Sequence, residues 1–145
     1  MTRRSSCAIL LALVVMTAAC DGPTRGGADA LPGPVPPGVS FSDGDPSSPP
    51  APDFSLSLMD GTRVTGVELW RERPVVLFFF ASWCGVCPDH QADLMALAER
   101  YGDSVTFLGI AGEDEPGAVA DYLEEHSVPH AVAIDEGLDV WRNYA

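Results

Sequence analysis

The feature that most constrains the fold is an apolar run, Val75–Phe80, which lies between Pro74 and a pair of cysteines. Six residues are too few for a typical helix, so the run predicts a strand buried on both faces. A helical pattern with its apolar face on Leu94, Leu97, Ala98 and Tyr101 follows the cysteines, and Gly102 stands where that helix would end. A buried strand that leads into a helix is typical of α/β proteins.

The segments around this unit predict the same class of fold. Strands that alternate with helices indicate a parallel or mixed sheet covered by helices, and Asp60-Gly61 is a hairpin signal. The predicted elements are strands Phe54–Leu58, Arg63–Val67, Val105–Ala111 and Ala131–Ile134, and a helix Glu115–His126 with Val119, Tyr122 and Leu123 facing inward.

The first residues have the layout of an export signal. Arg3 and Arg4 precede an apolar stretch from Ala8 to Met16, and small residues end it. The stretch is shorter than the roughly 20 apolar residues that a membrane-spanning helix needs. We therefore predict a cleaved signal peptide at residues 1–19 rather than a permanent span.

The cysteine after these small residues resembles the lipidated cysteine of bacterial lipoproteins. The resemblance implies that Cys20 receives the lipid and becomes the new N-terminus, although Thr17 stands where an aliphatic residue is usual. Residues 20–52 are rich in Pro and Gly and poor in large apolar side chains, which predicts an extended, mobile tether. The predicted domain then occupies residues 53–145.

The charge of the chain excludes one class of function. The formal net charge is −13, and all eight basic residues are arginines. A nucleic-acid-binding protein needs clustered positive charge against the phosphates, so no nucleic-acid partner is expected.

Of the four cysteines, Cys7 lies in the predicted signal peptide and Cys20 is the predicted lipidation site. The two remaining cysteines, Cys84 and Cys87, lie between the apolar run and the helix. The active site of an open α/β sheet lies at such a strand end, and a helix N-terminus favours thiolate over thiol. Thiolate is the attacking species in disulfide exchange. The spacing predicts Cys84 as the exposed nucleophile and Cys87, one turn into the helix, as the buried resolving thiol. The supporting residues of this motif are Trp83, Gly85, Val86 and Pro88.

Other chemistries for the same pair stay open on the residues alone. The cysteines could form half of a zinc site, although no second pair exists, or a structural disulfide. A non-catalytic carrier of copper(I) is also possible, with a histidine as third ligand. A thiol peroxidase would need a peroxidatic cysteine in a Pro- and Thr-containing context, which the sequence lacks.

From residue 51 onward the chain resembles the membrane-anchored thioredoxin-like proteins of the TlpA, ResA and DsbE type. The stretches that carry the resemblance are Ala51–Phe54, Asp60-Gly61, Pro74–Leu77, Ala81–Cys87, Val105–Ala111 and Asp135–Tyr144. The resemblance implies a thioredoxin-like fold with an N-terminal β-hairpin and a helix–strand insertion at residues 116–134. It also implies thiol–disulfide exchange through Cys84 and Cys87.

The chain departs from that family at three places. Phe78 stands where thioredoxins have a buried Asp, so another group must exchange protons with Cys87. His90 stands where a Glu is frequent, and it could tune the dithiol or simply face solvent. Pro129 precedes the Asp135–Tyr144 run, whereas the family's cis-proline follows it. We therefore predict a C-terminally truncated domain whose cis-proline, closing β-hairpin and last helix lie beyond Ala145.

Together these observations predict an exported, lipid-anchored oxidoreductase on the outer face of the cell membrane. Its expected partners are exported proteins with dithiols or disulfides and a redox protein in the membrane. No cofactor or metal is expected, because the cysteines carry the electrons. The direction of transfer stays open, since reductants for cytochrome c maturation and oxidants for disulfide formation share this motif.

Overall fold

The structure is a computed structural model that describes residues 24–42 and 44–144. The strands are β1 (Ser55–Leu58), β2 (Arg63–Thr65), β3 (Val75–Phe80), β4 (Thr106–Gly112) and β5 (Ala131–Asp135). The helices are α1 (Gly66–Trp70), α2 (Cys87–Tyr101), α3 (Pro116–Glu125) and α4 (Asp139–Tyr144), and a short 3-10 helix spans Ala28–Ala30. The signal peptide and Cys20 lie outside the described residues.

The five strands form one mixed sheet in the order β2-β1-β5-β4-β3. Strands β3, β4 and β5 are parallel, and β1 runs antiparallel to both β2 and β5. All seven residues of β4 are buried, as expected for a strand between two others and under helices on both faces. The α/β class predicted from the sequence is confirmed.

Each face of the sheet carries its own apolar core. One core contains Leu108 and Ile110 of β4, with side chains from α1 and α4 packed against them. The opposite core contains Ala111 and the α3 residues Val119, Tyr122 and Leu123. The predicted inward face of α3 is therefore confirmed.

The expectation that β3 is buried on both faces is wrong for most of the strand. Among the described residues β3 pairs only with β4 and forms the edge of the sheet. Val76 is 38% exposed, whereas Phe80 at the end of the strand is 1% exposed. An edge strand has a neighbour on one side only, which apolar composition alone cannot reveal.

The hairpin turn lies where predicted, but its second strand is shorter. Gly61 has a φ of 83°, a conformation that glycine adopts without strain. β2 ends at Thr65, where a capping box starts α1: the Thr65 side chain accepts from the Glu68 backbone, and the Glu68 side chain accepts from the Thr65 backbone. Because this reciprocal cap starts a helix, residues 66 and 67 belong to α1 and not to the predicted strand.

Helix α2 lies where predicted but is rotated about its axis. Leu94 is 7% exposed, whereas Leu97 and Tyr101 are 49% and 42% exposed. The covered face instead follows Gln91, Leu94, Met95 and Ala98, which have helical spacing. Gln91 is 1% exposed, so a buried polar residue shifted the face that apolar spacing had predicted.

The predicted mobile tether is wrong for its first part, which packs on the domain. The Gly26 carbonyl accepts from the Val132 backbone at 2.9 Å, and the Asp60 carboxylate accepts from the Ala28 backbone at 2.7 Å. Further along, the buried Arg73 side chain donates to the Gly33 carbonyl. Backbone hydrogen bonds, a buried arginine and the partly buried Leu31, which packs against the core, hold this stretch on the domain.

No helix within the described ranges is both long enough and apolar enough to span a membrane.

Candidate active site

The cysteine pair lies where β3 gives way to α2. Phe80 ends the strand, and Cys84 and Cys87 form a disulfide with their Cα atoms 5.4 Å apart. The backbone turns twice in this loop, as the Cys84 amide donates to the Ala81 carbonyl and the Cys87 amide to the Cys84 carbonyl. The disulfide therefore stands at the carboxyl end of the parallel strands, the position at which α/β sheets bind their substrates.

An aspartate from the next strand connection holds this loop. The Asp114 carboxylate accepts from the Ser82 backbone at 2.5 Å and from the Ser82 hydroxyl at 2.7 Å. It also accepts from the backbone of Glu115 at 3.1 Å. The sequence contains a signal for this role: Asp114 follows the strand next to β3, and the carboxyl ends of neighbouring parallel strands meet at one edge of the sheet.

The residues predicted to support the dithiol are brought together in the loop and first turn. Trp83 and Val86 are 70% and 66% exposed, which is unusual for large apolar side chains. Gly85 has open space on the side where a Cβ would stand. Cys84 and Cys87 are both half-buried, so the predicted contrast in their exposure is not seen, although Cys87 packs against the apolar core of α3.

The start of α2 supplies the electrostatics of the site. Cys87 is the first residue of the helix rather than one turn inside it, which corrects the sequence prediction. Val86 is the N-cap and offers no side-chain hydrogen bond, and Pro88 follows in the first turn. No side chain caps the first turn of the helix, and the positive end of the helix dipole lies at the cysteine pair, an arrangement that stabilises thiolate.

A groove of about 370 Å³ separates the Cys84 loop from α3. Its far wall carries Asp121, Tyr122, Glu125 and His126. Tyr122 is 5% exposed, its hydroxyl has no hydrogen-bond partner among the described residues, and burial raises the pKa of this phenol. Nothing in the sequence pattern had connected α3 with the dithiol.

Two residues singled out by the family comparison lie outside this groove. His90 is exposed on α2 and is not among the residues that line the groove. Phe78 stacks on Phe80 with ring centroids 5.9 Å apart, so the place of the thioredoxin aspartate is occupied by an aromatic pair.

Another cavity, of about 490 Å³, lies along α2 at the opposite end of the sheet and contains neither cysteine. Its lining includes Pro129 and His130. The His130 ring contacts the Gln91 side chain at 2.9 Å and the Ala131 carbonyl at 3.0 Å. Burial lowers the pKa of His130. Pro129 thus lines a cavity that contains neither cysteine, and it is not among the residues that line the groove at Cys84.

Within residues 24–42 and 44–144, no three side chains of the kinds His, Cys, Asp and Glu converge on one point as a metal site would require.

A cysteine pair at the start of the helix that follows a parallel strand, in a mixed sheet covered on both faces, defines a thioredoxin-like protein. The chain belongs to the AhpC/TSA family, whose model matches residues 48–145.

Several curated proteins are similar to this chain. A thioredoxin-like protein of Synechocystis is 40% identical over 70 residues, which cover 45% of this chain and 62% of that protein. The soluble secreted antigen MPT53 of Mycobacterium tuberculosis is 26% identical over 63% of this chain and 51% of its own length. The chain thus spans less than two thirds of the length of each of these relatives.

Solved structures show the same fold. A secreted disulfide oxidoreductase of Mycobacterium tuberculosis, homologous to DsbE, superimposes with a TM-score of 0.58 at 26% identity, covering 63% of this chain and 66% of that one. A thiol-disulfide oxidoreductase of Bacteroides fragilis gives a TM-score of 0.59 at 27% identity, covering 65% and 73%. The predicted thioredoxin-like fold is confirmed.

Proposed function

We propose that this protein is an extracytoplasmic thiol–disulfide oxidoreductase that exchanges disulfides with exported proteins. The observation that carries the proposal is the Cys84–Cys87 disulfide at the uncapped start of α2. The printed names of its relatives support it, since they include a secreted antigen and disulfide oxidoreductases.

The exchange proceeds in two steps that balance in electrons and protons. When the protein oxidises a substrate, a substrate thiolate attacks Cys84 Sγ, a mixed disulfide forms, and Cys87 leaves as thiolate. The second substrate thiolate then attacks the substrate sulfur of the mixed disulfide and releases Cys84 as thiolate. The substrate gains one disulfide and the protein one dithiol. Reduction of a substrate disulfide runs through the same mixed disulfide in reverse.

The surroundings of the two sulfur atoms support a different role for each. Cys84 lines the open groove, whereas Cys87 packs against the core, so Cys84 receives the substrate and Cys87 resolves. The helix N-terminus stabilises the thiolate on either sulfur and so favours the reduced form of the pair. After each exchange the cysteine pair must be returned to its starting redox state. The cycle therefore also needs a second redox partner, which we propose lies in the membrane.

The proposed location rests on the leader of the sequence. Cleavage before Cys20 and lipidation of that residue would hold the protein on the outer face of the membrane. Metabolic labelling with a fatty-acid analogue, compared between the native chain and Cys20→Ala, tests the anchor. Labelling that persists in the variant would contradict it.

The decisive experiment on activity follows disulfide exchange directly. The full chain, reduced, is mixed with insulin, and separately, oxidised, with a reduced unfolded substrate; the reduction potential of the dithiol is measured in glutathione buffers. Exchange in at least one direction is the expected result, and the potential decides which one prevails. Absence of exchange in both directions, or stoichiometric copper(I) binding in its place, would overturn the proposal in favour of a metal carrier.

A further inference from the structure

We propose that the groove between the Cys84 loop and α3 binds a basic, extended segment of the substrate polypeptide. This inference rests on the proposed function and names its substrate class: exported proteins with a lysine or arginine a few residues from the reacting cysteine.

The first argument is the orientation of α3. The residues of α3 that line the groove, Ala118, Asp121, Tyr122 and Glu125, follow one another at helical spacing. They form one continuous helical face opposite Cys84 and Trp83. A polypeptide whose cysteine reaches Cys84 therefore places its neighbouring residues against this face.

The second argument is the charge of that face. Asp121 and Glu125 form no ion pair with any arginine that the structure describes, whereas Glu124, which points away from the groove, pairs with Arg25 at 2.6 Å. No arginine lines the groove. Two unneutralised carboxylates beside the reacting sulfur attract a cation and repel an anion.

The third argument is independent of charge. Tyr122 is almost fully buried at the groove wall, yet its hydroxyl lacks a hydrogen-bond partner among the described residues. A buried, unpartnered hydroxyl costs stability unless a ligand satisfies it. The backbone carbonyl of an extended peptide can accept a hydrogen bond from this hydroxyl. The groove therefore offers a peptide a backbone contact with Tyr122 and a charge contact with the two carboxylates.

The binding test separates this inference from the chemistry. The oxidised full chain is titrated with two cysteine-free peptides that differ only in carrying Lys or Glu, and the fluorescence of the exposed Trp83 is followed. Two weak, exposed charge contacts lead us to expect roughly fivefold tighter binding of the Lys peptide at low salt. The preference should shrink as salt screens the charges.

Matched variants locate the effect. The double variant Asp121→Asn/Glu125→Gln is expected to remove most of the preference, whereas Glu99→Gln/Glu124→Gln changes the net charge equally at sites outside the groove and should keep it. Tyr122→Phe should weaken both peptides alike, by roughly fivefold for one hydrogen bond, without lowering the stability of the protein. Equal binding of both peptides at low salt, or an equal loss in both double variants, would overturn the inference.

The kinetic test uses the same pair of sequences with a disulfide. Faster exchange with the basic substrate at low salt supports the inference, and equal rates contradict it. If neither substrate reacts while the Lys peptide still binds preferentially, the proposed activity fails and the groove assignment stands.

Discussion

The two ends of the central sheet differ in the side chains that they leave exposed. At the carboxyl end of β3 and β4, polar and apolar side chains are left open: Trp83 is 70% exposed, and Asp121 and Glu125 face a groove without arginine partners in the described residues. The Cys84–Cys87 disulfide is the centre of this region.

At the opposite end, where β5 begins, two polar side chains are enclosed and contact each other, although the Gln91 Oε1 has no hydrogen-bond partner among the described residues. His130 is 4% exposed and contacts Gln91, which is 1% exposed. Close by, the backbone of Gly26 bonds to β5 through Val132. This end shows how a fold fixes its own structure with buried polar contacts.

The contrast predicts that substitutions at the two ends of the sheet affect different properties of the protein. Changes at the dithiol end should alter exchange rates and leave the free energy of unfolding nearly unchanged. Changes at the opposite end should alter the free energy of unfolding, with little effect on the rate per folded molecule.

The largest effect is expected at the nucleophile. Cys84→Ser should lower exchange to below roughly a thousandth of the native rate, since the attacking atom is lost. Cys87→Ser should instead accumulate a mixed disulfide on Cys84, because the resolving thiol is gone. Non-reducing gel electrophoresis with a trapped substrate measures both. Accumulation of adducts in Cys84→Ser rather than Cys87→Ser would reverse the assigned roles.

Asp114 lies at the dithiol end, yet its substitution should change both the free energy of unfolding and the exchange rate. Asp114→Asn is expected to lower the free energy of unfolding by about 2 kcal/mol, because hydrogen bonds to a charged acceptor are strong and the new amide group faces donors. The exchange rate should fall as well, since the loop that presents Cys84 loosens. Urea denaturation and single-turnover kinetics measure the two effects.

The control for Asp114 is Asp93→Asn on the exposed surface of α2, which should change the stability by less than about 0.5 kcal/mol. If Asp114→Asn behaves like this control in both assays, the loop is held by its own turns and not by the carboxylate.

The sequence predicted the dithiol end better than the opposite end, for a physical reason. Alternation, an apolar run and a C-x-x-C pair are local patterns, and they correctly placed β3, α2 and the cysteine pair between them, although Cys87 begins α2 rather than lying one turn inside it. The α3 groove could not be predicted in this way, because Tyr122 and Cys84 lie far apart in sequence and meet only through the sheet.

The errors share a cause as well. The exposed face of α2 and the docked segment around Gly26 both depend on polar or backbone contacts made across long sequence separations. Apolar periodicity does not reveal the Gln91–His130 contact, nor the hydrogen bond that the Gly26 carbonyl accepts from the Val132 backbone. Such contacts decide which face of an element is covered without leaving a local pattern.

An effect of comparable size, on stability alone, is expected in the docked segment. Gly26→Ala should lower the free energy of unfolding by about 1–3 kcal/mol, since a Cβ there would stand 2.8 Å from Leu123 and φ is positive. Gly38→Ala is the matched control, with φ of 85° and open space around it, so it measures the backbone strain alone. Equal losses in the two variants would show that the close packing of Gly26 contributes nothing.

The most gradual effect is expected in the pH dependence of the free energy of unfolding, through the protonation of His130. Its Nδ1 must donate to the Ala131 carbonyl, so Nε2 is free to accept from the Gln91 amide, and this set of bonds suits the neutral ring. Burial lowers the pKa of His130 below its ordinary value of 6.5. As the pH falls, His130 therefore binds a proton in the unfolded chain before it does so in the folded chain. Its contribution to the free energy of unfolding is fully present above pH 6.5 and is lost progressively between pH 6.5 and the lower pKa of the folded state.

Chemical denaturation at a series of pH values checks this expectation. His130→Gln should flatten the slope just below pH 6.5, whereas His90→Asn, at an exposed position, should keep it. A slope that survives in His130→Gln would place the titrating group elsewhere. Exchange kinetics over the same pH range sharpen the comparison of the two ends of the sheet. The exchange rate per folded molecule should show no inflection that disappears in His130→Gln.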